Sequence, residues 1–181
     1  MTSDFQTDVT AHYTRPEYGD AILAWLKAAG KDMDAITVDD LIPVDQLHNG
    51  SVGATEALIH MAAPQPGCRV ADLGGGIGGP ARLLAAKHGC EATVVDLTAE
   101  FCRVGEMLTQ LTKLSDRVRF KNASALDTGL PAGSFDLVGM QNAAMNIEDR
   151  PALYREIARL LRPGGMYTFQ EIAQGPVQPA H

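Results

Sequence analysis

Apolar residues recur at helical spacing over residues 17 to 30, where Ile22, Trp25, Leu26 and Ala29 share one face and Gly30 ends the run. A second amphipathic helix is predicted over residues 53–62, with Ala54, Ala57, Leu58 and Met61 on one side. The stretch Pro64-Gln65-Pro66-Gly67 then breaks the pattern and divides a helical segment, residues 1–63, from the rest of the chain. Beyond it the period changes. Short apolar runs bounded by turn residues, at 69–73, 92–96, 118–120, 135–140 and 166–170, predict buried strands. Helical patterns at 80–88, 99–113 and 151–161 lie between most of them. Parallel strands need crossover connections, and helices supply them, so the alternation predicts an α/β fold with a doubly wound, mostly parallel sheet covered by helices on both faces.

Composition narrows the function classes. The 181 residues are 45% hydrophobic and 20% charged, which fits one globular domain. Fifteen Lys plus Arg against 22 Asp plus Glu leave a formal charge of −7, so neither nucleic acid nor an anionic membrane is an expected partner. No apolar run reaches the roughly 18 residues of a membrane span, and residues 1–20 lack the basic start and apolar stretch of a signal peptide; a cytoplasmic location is expected. Cys68, Cys90 and Cys102 form no Cys-x-x-Cys unit and no Cys/His cluster, so reduced thiols and no metal site are expected.

The chemistry concentrates after the first predicted strand. Val70-Ala71-Asp72-Leu73 runs into Gly74-Gly75-Gly76-Ile77-Gly78-Gly79-Pro80, and so many glycines cost chain entropy unless a ligand or another backbone approaches closely. Gly74, Gly76 and Gly79 also satisfy dinucleotide spacing, which leaves nicotinamide, flavin and other adenosine ligands open. Asp96 ends the second predicted strand, where a carboxylate can accept hydrogen bonds from a ribose diol. Its competing role is to cap the next helix, although Thr98 is better placed for that. Asp72 brings a carboxylate close to the turn, repelling a pyrophosphate and welcoming a cationic amino acid or sulfonium, which favours S-adenosylmethionine over NAD. Its competing role is a strand-end carboxylate bonded to backbone amides.

The segments ADLGGGIGGPAR, VVDLTAEFC, SFDLV before MQNAAMNI, and LLRPGG before MYTFQE together resemble the successive motifs of class I S-adenosylmethionine-dependent methyltransferases, most similarly the branch that includes sarcosine/dimethylglycine and ubiquinone or menaquinone methyltransferases. The resemblance implies a Rossmann-like domain over residues 68–175 and 176–181 as the start of a missing C-terminal segment that would carry the last two strands of the family fold; for the helical segment 1–63 two roles stay open, a lid over the ligand and ordinary packing against the sheet. It implies that Gly74, Gly76 and Gly78 let the turn pass beside the methionyl part of S-adenosylmethionine, with Asp72 near its amino group, Asp96 on the ribose and Leu97 against adenine. Where the family usually has a Gly-Asp pair this chain has Ala123-Ser124, leaving Ser124 and the Ala125 amide to meet the ring; Gln141 joins the cofactor set.

For the methyl acceptor, a small molecule such as an amine or quinol, the resemblance implies Asn142, Asn146 and His48. Relatives often carry an acid or His where Asn142 stands, and an asparagine is no base near neutral pH, so no catalytic base is identified. Two other readings stay open: a noncatalytic module that binds the cofactor or its demethylated product, and a nicotinamide-dependent oxidoreductase. The uncovered last strand is also an expected route to self-association.

Overall fold

A computed structural model describes residues 17–172. Three helices come first: α1 (Tyr18–Ala28), α2 (Val38–Asp45) and α3 (Ser51–Ala62). The alternating region follows as β1 (Arg69–Leu73), α4 (Gly79–His88), β2 (Glu91–Asp96), α5 (Ala99–Leu111), β3 (Val118–Asn122), β4 (Phe135–Gln141), α6 (Arg150–Leu160) and β5 (Leu161–Gln170). The five strands form one sheet in the order β3-β2-β1-β4-β5, every neighbouring pair parallel. The order reverses direction beside β1, and such a switch point opens a crevice at the carboxyl ends of the strands.

Alternation along the strands builds two cores. Val70, Val94 and Leu137 face Leu83 and Leu84 of α4 and Ile59 of α3, whereas Ala71, Leu73, Val95, Val138 and Met140 face Leu153, Ile157 and Leu160 of α6. A third cluster docks the N-terminal helices: Ile22 and Leu26 of α1 and Leu41 of α2 meet Ile77, Val104 and Leu108. Trp25 lies on the outer side of α1 and is exposed, so it is not part of that seam.

Several expected boundaries shift. Helix α2 was not predicted, because it is short and carries Pro43, but Thr37 and Asp40 form a capping box that was legible as Thr-x-x-Asp. In it the Asp40 amide donates to Thr37 Oγ1 at 3.3 Å and the Thr37 amide donates to Asp40 Oδ2 at 2.9 Å. β3 runs to Asn122, two residues beyond the predicted end, and β5 starts at Leu161, directly after α6. Leu161 pairs with Phe135 and Met166 with Leu137, so residues 162–165 bulge out of the register. The expected tail at 176–181, the last residues of the expected 68–175 domain and residues 1–16 of the expected helical segment lie outside the described residues.

One packing contact sets the spacing of α5 from the sheet. The ring of Phe120 in β3 lies between two glycines, where a Cβ on Gly105 would come within 2.2 Å of it and a Cβ on Gly78 within 2.6 Å. Gly105→Ala is expected to destabilise the fold by about 1–3 kcal/mol through overpacking, outweighing the roughly 1 kcal/mol that alanine gains in a helix. Urea unfolding of Gly105→Ala, alone and with Phe120→Leu, checks this: the smaller partner should recover most of the loss, and an equal loss in both backgrounds would refute the wedge.

Candidate functional site

The crevice at the switch point is a cavity of about 880 Å³, lined from the glycine turn, the ends of β2 and β4, the loop after β3 and the segment between α2 and α3. The turn is drawn tight by the Gly74 amide donating to the Val95 carbonyl at 2.7 Å and the Gly78 amide donating to the Gly75 carbonyl at 2.9 Å. Its glycines have different causes. Gly76 has φ +55 and faces the cavity, the nearest atom to a Cβ there being Leu47 Cδ1 at 3.4 Å. At Gly74 a Cβ would meet the Ala143 Cβ at 2.4 Å, and at Gly79 the Asp45 carbonyl at 2.4 Å, so close packing excludes side chains there. Gly78, expected beside the ligand, does not line the cavity; it has φ +80 and packs on Phe120.

Two buried carboxylates sit behind the turn. Asp72 is only 5% exposed and its Oδ2 has no hydrogen-bond partner, although a Cβ on Gly75 would lie 2.5 Å from it. Burial, reinforced by the charge of Asp96, pushes its pKa up to about 7. The alternative of a carboxylate satisfied by backbone amides is therefore not what the fold builds at Oδ2.

Asp96 is engaged on both oxygens, Oδ2 accepting from the Gly76 amide at 2.9 Å and Oδ1 from the Thr98 amide at 2.8 Å. Burial pushes its carboxyl up while these amides pull it back. Thr98 does not cap α5 with its side chain, contrary to the expectation from sequence; the carboxylate of Asp96 ties the helix start to the glycine turn instead. The Thr98 hydroxyl also bonds to this carboxylate, which keeps acceptor capacity for a further donor from the cavity.

Leu97, Ser124, Ala125, Gln141, Asn142, Asn146 and His48 all line the same cavity as Asp72, Gly74, Gly76 and Asp96. Ser124 Oγ accepts from the Leu126 amide at 3.1 Å, which leaves the hydroxyl proton to donate. Asn142, at φ +51, accepts on Oδ1 from the Asn49 amide at 3.2 Å, and its buried Nδ2 has no partner. The two unpartnered atoms are complementary in kind, an acceptor at Asp72 and a donor at Asn142.

Sequence reading missed the residues that hold this wall together. Thr55 of α3 is buried, with Oγ1 2.9 Å from Gln46 Oε1, 2.9 Å from His48 Nε2 and 3.3 Å from Gln141 Oε1. Gln141 Nε2 donates to Gln170 Oε1 at 3.1 Å, and Gln170 Nε2 donates to the Asn49 carbonyl at 2.6 Å. The His48 ring bridges this network, with Nδ1 3.2 Å from the Asn49 carbonyl and Nε2 3.2 Å from Gln46 Oε1. Glu171 accepts from the Ala144 amide at 2.8 Å and so holds the loop of Asn142 and Asn146. A threonine among the small residues of α3 carries no sequence signal for this. Acidic groups dominate the charged lining, with Asp45, Asp72, Asp96, Glu148 and Asp149 and, among the described residues, neither Lys nor Arg.

The sequence profile of a methyltransferase domain matches residues 71–169, more than half of the chain. The chain belongs to that family. Phosphoethanolamine N-methyltransferase 1 of Arabidopsis thaliana is 28% identical over 131 residues, covering 72% of this chain and 26% of the relative. The sarcosine/dimethylglycine N-methyltransferase of Halorhodospira halochloris is 29% identical over 147 residues, covering 78% of this chain and 52% of the relative. A crystal structure of Haemonchus contortus phosphoethanolamine N-methyltransferase 2 in complex with S-adenosyl-L-methionine superposes with a TM-score of 0.66 at 28% identity, covering 70% of this chain and 29% of that one. The chain thus spans between about a quarter and half of the length of these relatives. In this methyltransferase domain the matched segment contains the glycine turn, Asp96, Ser124 and Asn142, whereas Leu47, His48 and Thr55 precede it.

Proposed function

We propose that this chain binds S-adenosylmethionine in the cavity and directs its methyl group to a small-molecule acceptor. The observation that carries the reading is Asp72: a buried carboxylate with an unpartnered oxygen, directly behind the glycine turn, calls for a cationic donor. A pyrophosphate at the turn would face that carboxylate and Asp96 at close range, which weighs against a nicotinamide dinucleotide. The lack of Lys and Arg among the described lining residues supports the same choice.

When bound, the cofactor supplies a sulfonium methyl group that an acceptor atom displaces in line. Asp72 would hold the ammonium group, Asp96 the ribose through its remaining acceptor capacity, Leu97 the adenine face, and Ser124 and the Ala125 amide the ring edge. The free Nδ2 of Asn142 would orient an acceptor oxygen, with Asn146 and His48 on the same wall, the latter held by Thr55. These groups position, desolvate and exclude water, which is the protein's main part in such a displacement. The N-terminal segment, which brings Leu47 and His48 to the cavity, would act as its cover. The outer edge of β5, where Met166 and Phe169 are exposed, is where self-association would occur.

Calorimetric titration with S-adenosylhomocysteine, with NADH as competitor, tests the cofactor; transfer of a labelled methyl group to a panel of amines, quinols and phenols tests the acceptor. Saturable binding that NADH cannot displace supports the reading, and binding by NADH alone overturns it. Binding without transfer to any acceptor would favour a noncatalytic module.

Asp72 also makes the affinity depend on pH. Its carboxylate must be ionised to pair with an ammonium group, so affinity for S-adenosylhomocysteine is expected to rise roughly tenfold from about pH 6 to about pH 8, and Asp72→Asn should flatten that rise. In the free protein the sign is opposite. An acid whose pKa is raised from 3.8 to about 7 on folding holds its proton more tightly in the native state, so its contribution to stability declines as pH climbs through that window. Urea unfolding at a series of pH values, compared between the chain and Asp72→Asn, reads this contribution.

A further inference from the structure

The amino end of the sheet, opposite the cavity, carries a pair of thiols. Arg69 and Glu91, the first residues of β1 and β2, are paired in register, so Cys68 and Cys90 are the next facing positions. The backbone closes around them: the Glu91 amide donates to the Cys68 carbonyl at 2.9 Å, and the Gly67 amide donates to the Gly89 carbonyl at 2.9 Å. Neighbouring strands lie about 4.8 Å apart, inside the roughly 4.4–6.8 Å between Cα atoms that a disulfide spans. Both side chains lie on one face, Cys90 within the core cluster of Val70 and Ala92 and Cys68 packed against it.

We propose that Cys68 and Cys90 form a dithiol site that low-molecular-weight disulfides oxidise to an intramolecular Cys68–Cys90 disulfide. Neither residue lines the cavity, so the site stands apart from methyl transfer. Both cysteines are free thiols, Cys68 partly exposed and Cys90 buried, so an oxidant reaches Cys68 first. The interaction of the two neighbouring thiols pushes Cys68 up and draws Cys90 down, which suits Cys90 to the second, resolving attack.

The chemistry balances in two exchanges. The Cys68 sulfur attacks the oxidant's S–S bond and expels one thiolate, leaving a mixed disulfide on Cys68. The Cys90 sulfur then attacks the Cys68 sulfur and expels the second thiolate. The two cysteine protons end on the two released thiols, and the two electrons lost by the cysteines reduce the oxidant. Cys102 has no part in this: its thiol turns to the Asp96 carbonyl at 3.8 Å, and burial pushes its pKa up to about 11. The new bond would close a loop that contains β1, the glycine turn and α4.

The test is to incubate the folded chain with oxidised glutathione, block remaining thiols, and map peptides without reduction, with cleavage after Glu91 separating Cys90 from Cys102. The expected product is a Cys68–Cys90 cross-linked peptide, with the free-thiol count falling from the three of the chain to one and restored by dithiothreitol. A Cys90→Ser variant should instead accumulate glutathione on Cys68. A persistent glutathione adduct on Cys68 of the unaltered chain, a count that stays at three, or a cross-link that forms only in denaturant would overturn the proposal.

Discussion

Arg82→Ala is expected to lower stability by about 3–5 kcal/mol, the cost of leaving a buried charge without its partner. Arg82 of α4 is 0% exposed, and its Nη2 donates to Asp45 Oδ2 at 3.0 Å. Its Nη1 donates to the Ile77 carbonyl at 2.7 Å and lies 3.2 Å from Thr109 Oγ1. One side chain thus ties the end of α2, the glycine turn and α5 together. Burial pushes the Asp45 carboxyl up and the guanidinium pulls it back, so removing Arg82 leaves an acid that must take up a proton or water.

Because desolvation opposes the pair's attraction, replacing both partners by apolar residues should cost far less than replacing either. Urea unfolding of Arg82→Ala, Asp45→Ala and the double variant Arg82→Met with Asp45→Leu separates these terms. A single-variant loss below about 1 kcal/mol would mean that the pair contributes no more than a surface ion pair. The same unfolding curves should show whether α1 and α2 detach before the sheet melts.

Asp96→Ala is expected to weaken S-adenosylhomocysteine binding about 100-fold, the equivalent of one or two charge-assisted hydrogen bonds. Two effects add. The ribose would lose its acceptor, and the Gly76 and Thr98 amides, now bonded to Asp96, would lose theirs, loosening the turn against the start of α5. Asp96→Asn keeps one acceptor oxygen and should fall between the two. Calorimetry on folded samples, with circular dichroism to confirm the fold, checks the series. If Asp96→Ala bound as tightly as the unaltered chain while remaining folded, the carboxylate would be a structural tie alone and the ribose assignment would fail.

These two residues differ in how far their roles were legible. Asp96 could be read because a strand-end acid after a glycine turn has few other uses, yet its bond to the Gly76 amide was not legible: it joins residues twenty positions apart. Arg82 gave no signal, since a basic residue in a helix is ordinarily solvated. Thr55 was equally silent. Its hydroxyl matters only because α3 packs where Gln46, His48 and Gln141 converge. Gly78 shows the same dependence on packing. The resemblance placed it beside the ligand, whereas in the fold it has a positive φ and packs on the Phe120 ring.

The α/β alternation, the five strands, the parallel sheet and the glycine turn after β1 were determined by local pattern alone, because periodicity and turn chemistry act over a few residues. The short helix α2 escaped for lack of length, although its capping box was written in the sequence. Only the tertiary structure decided which polar groups are satisfied. It left Asp72 Oδ2 and Asn142 Nδ2 without partners, buried Arg82 against Asp45, and set Cys68 beside Cys90. Desolvation and hydrogen-bond satisfaction depend on every element packed around an atom, and that sum does not exist until the chain has folded.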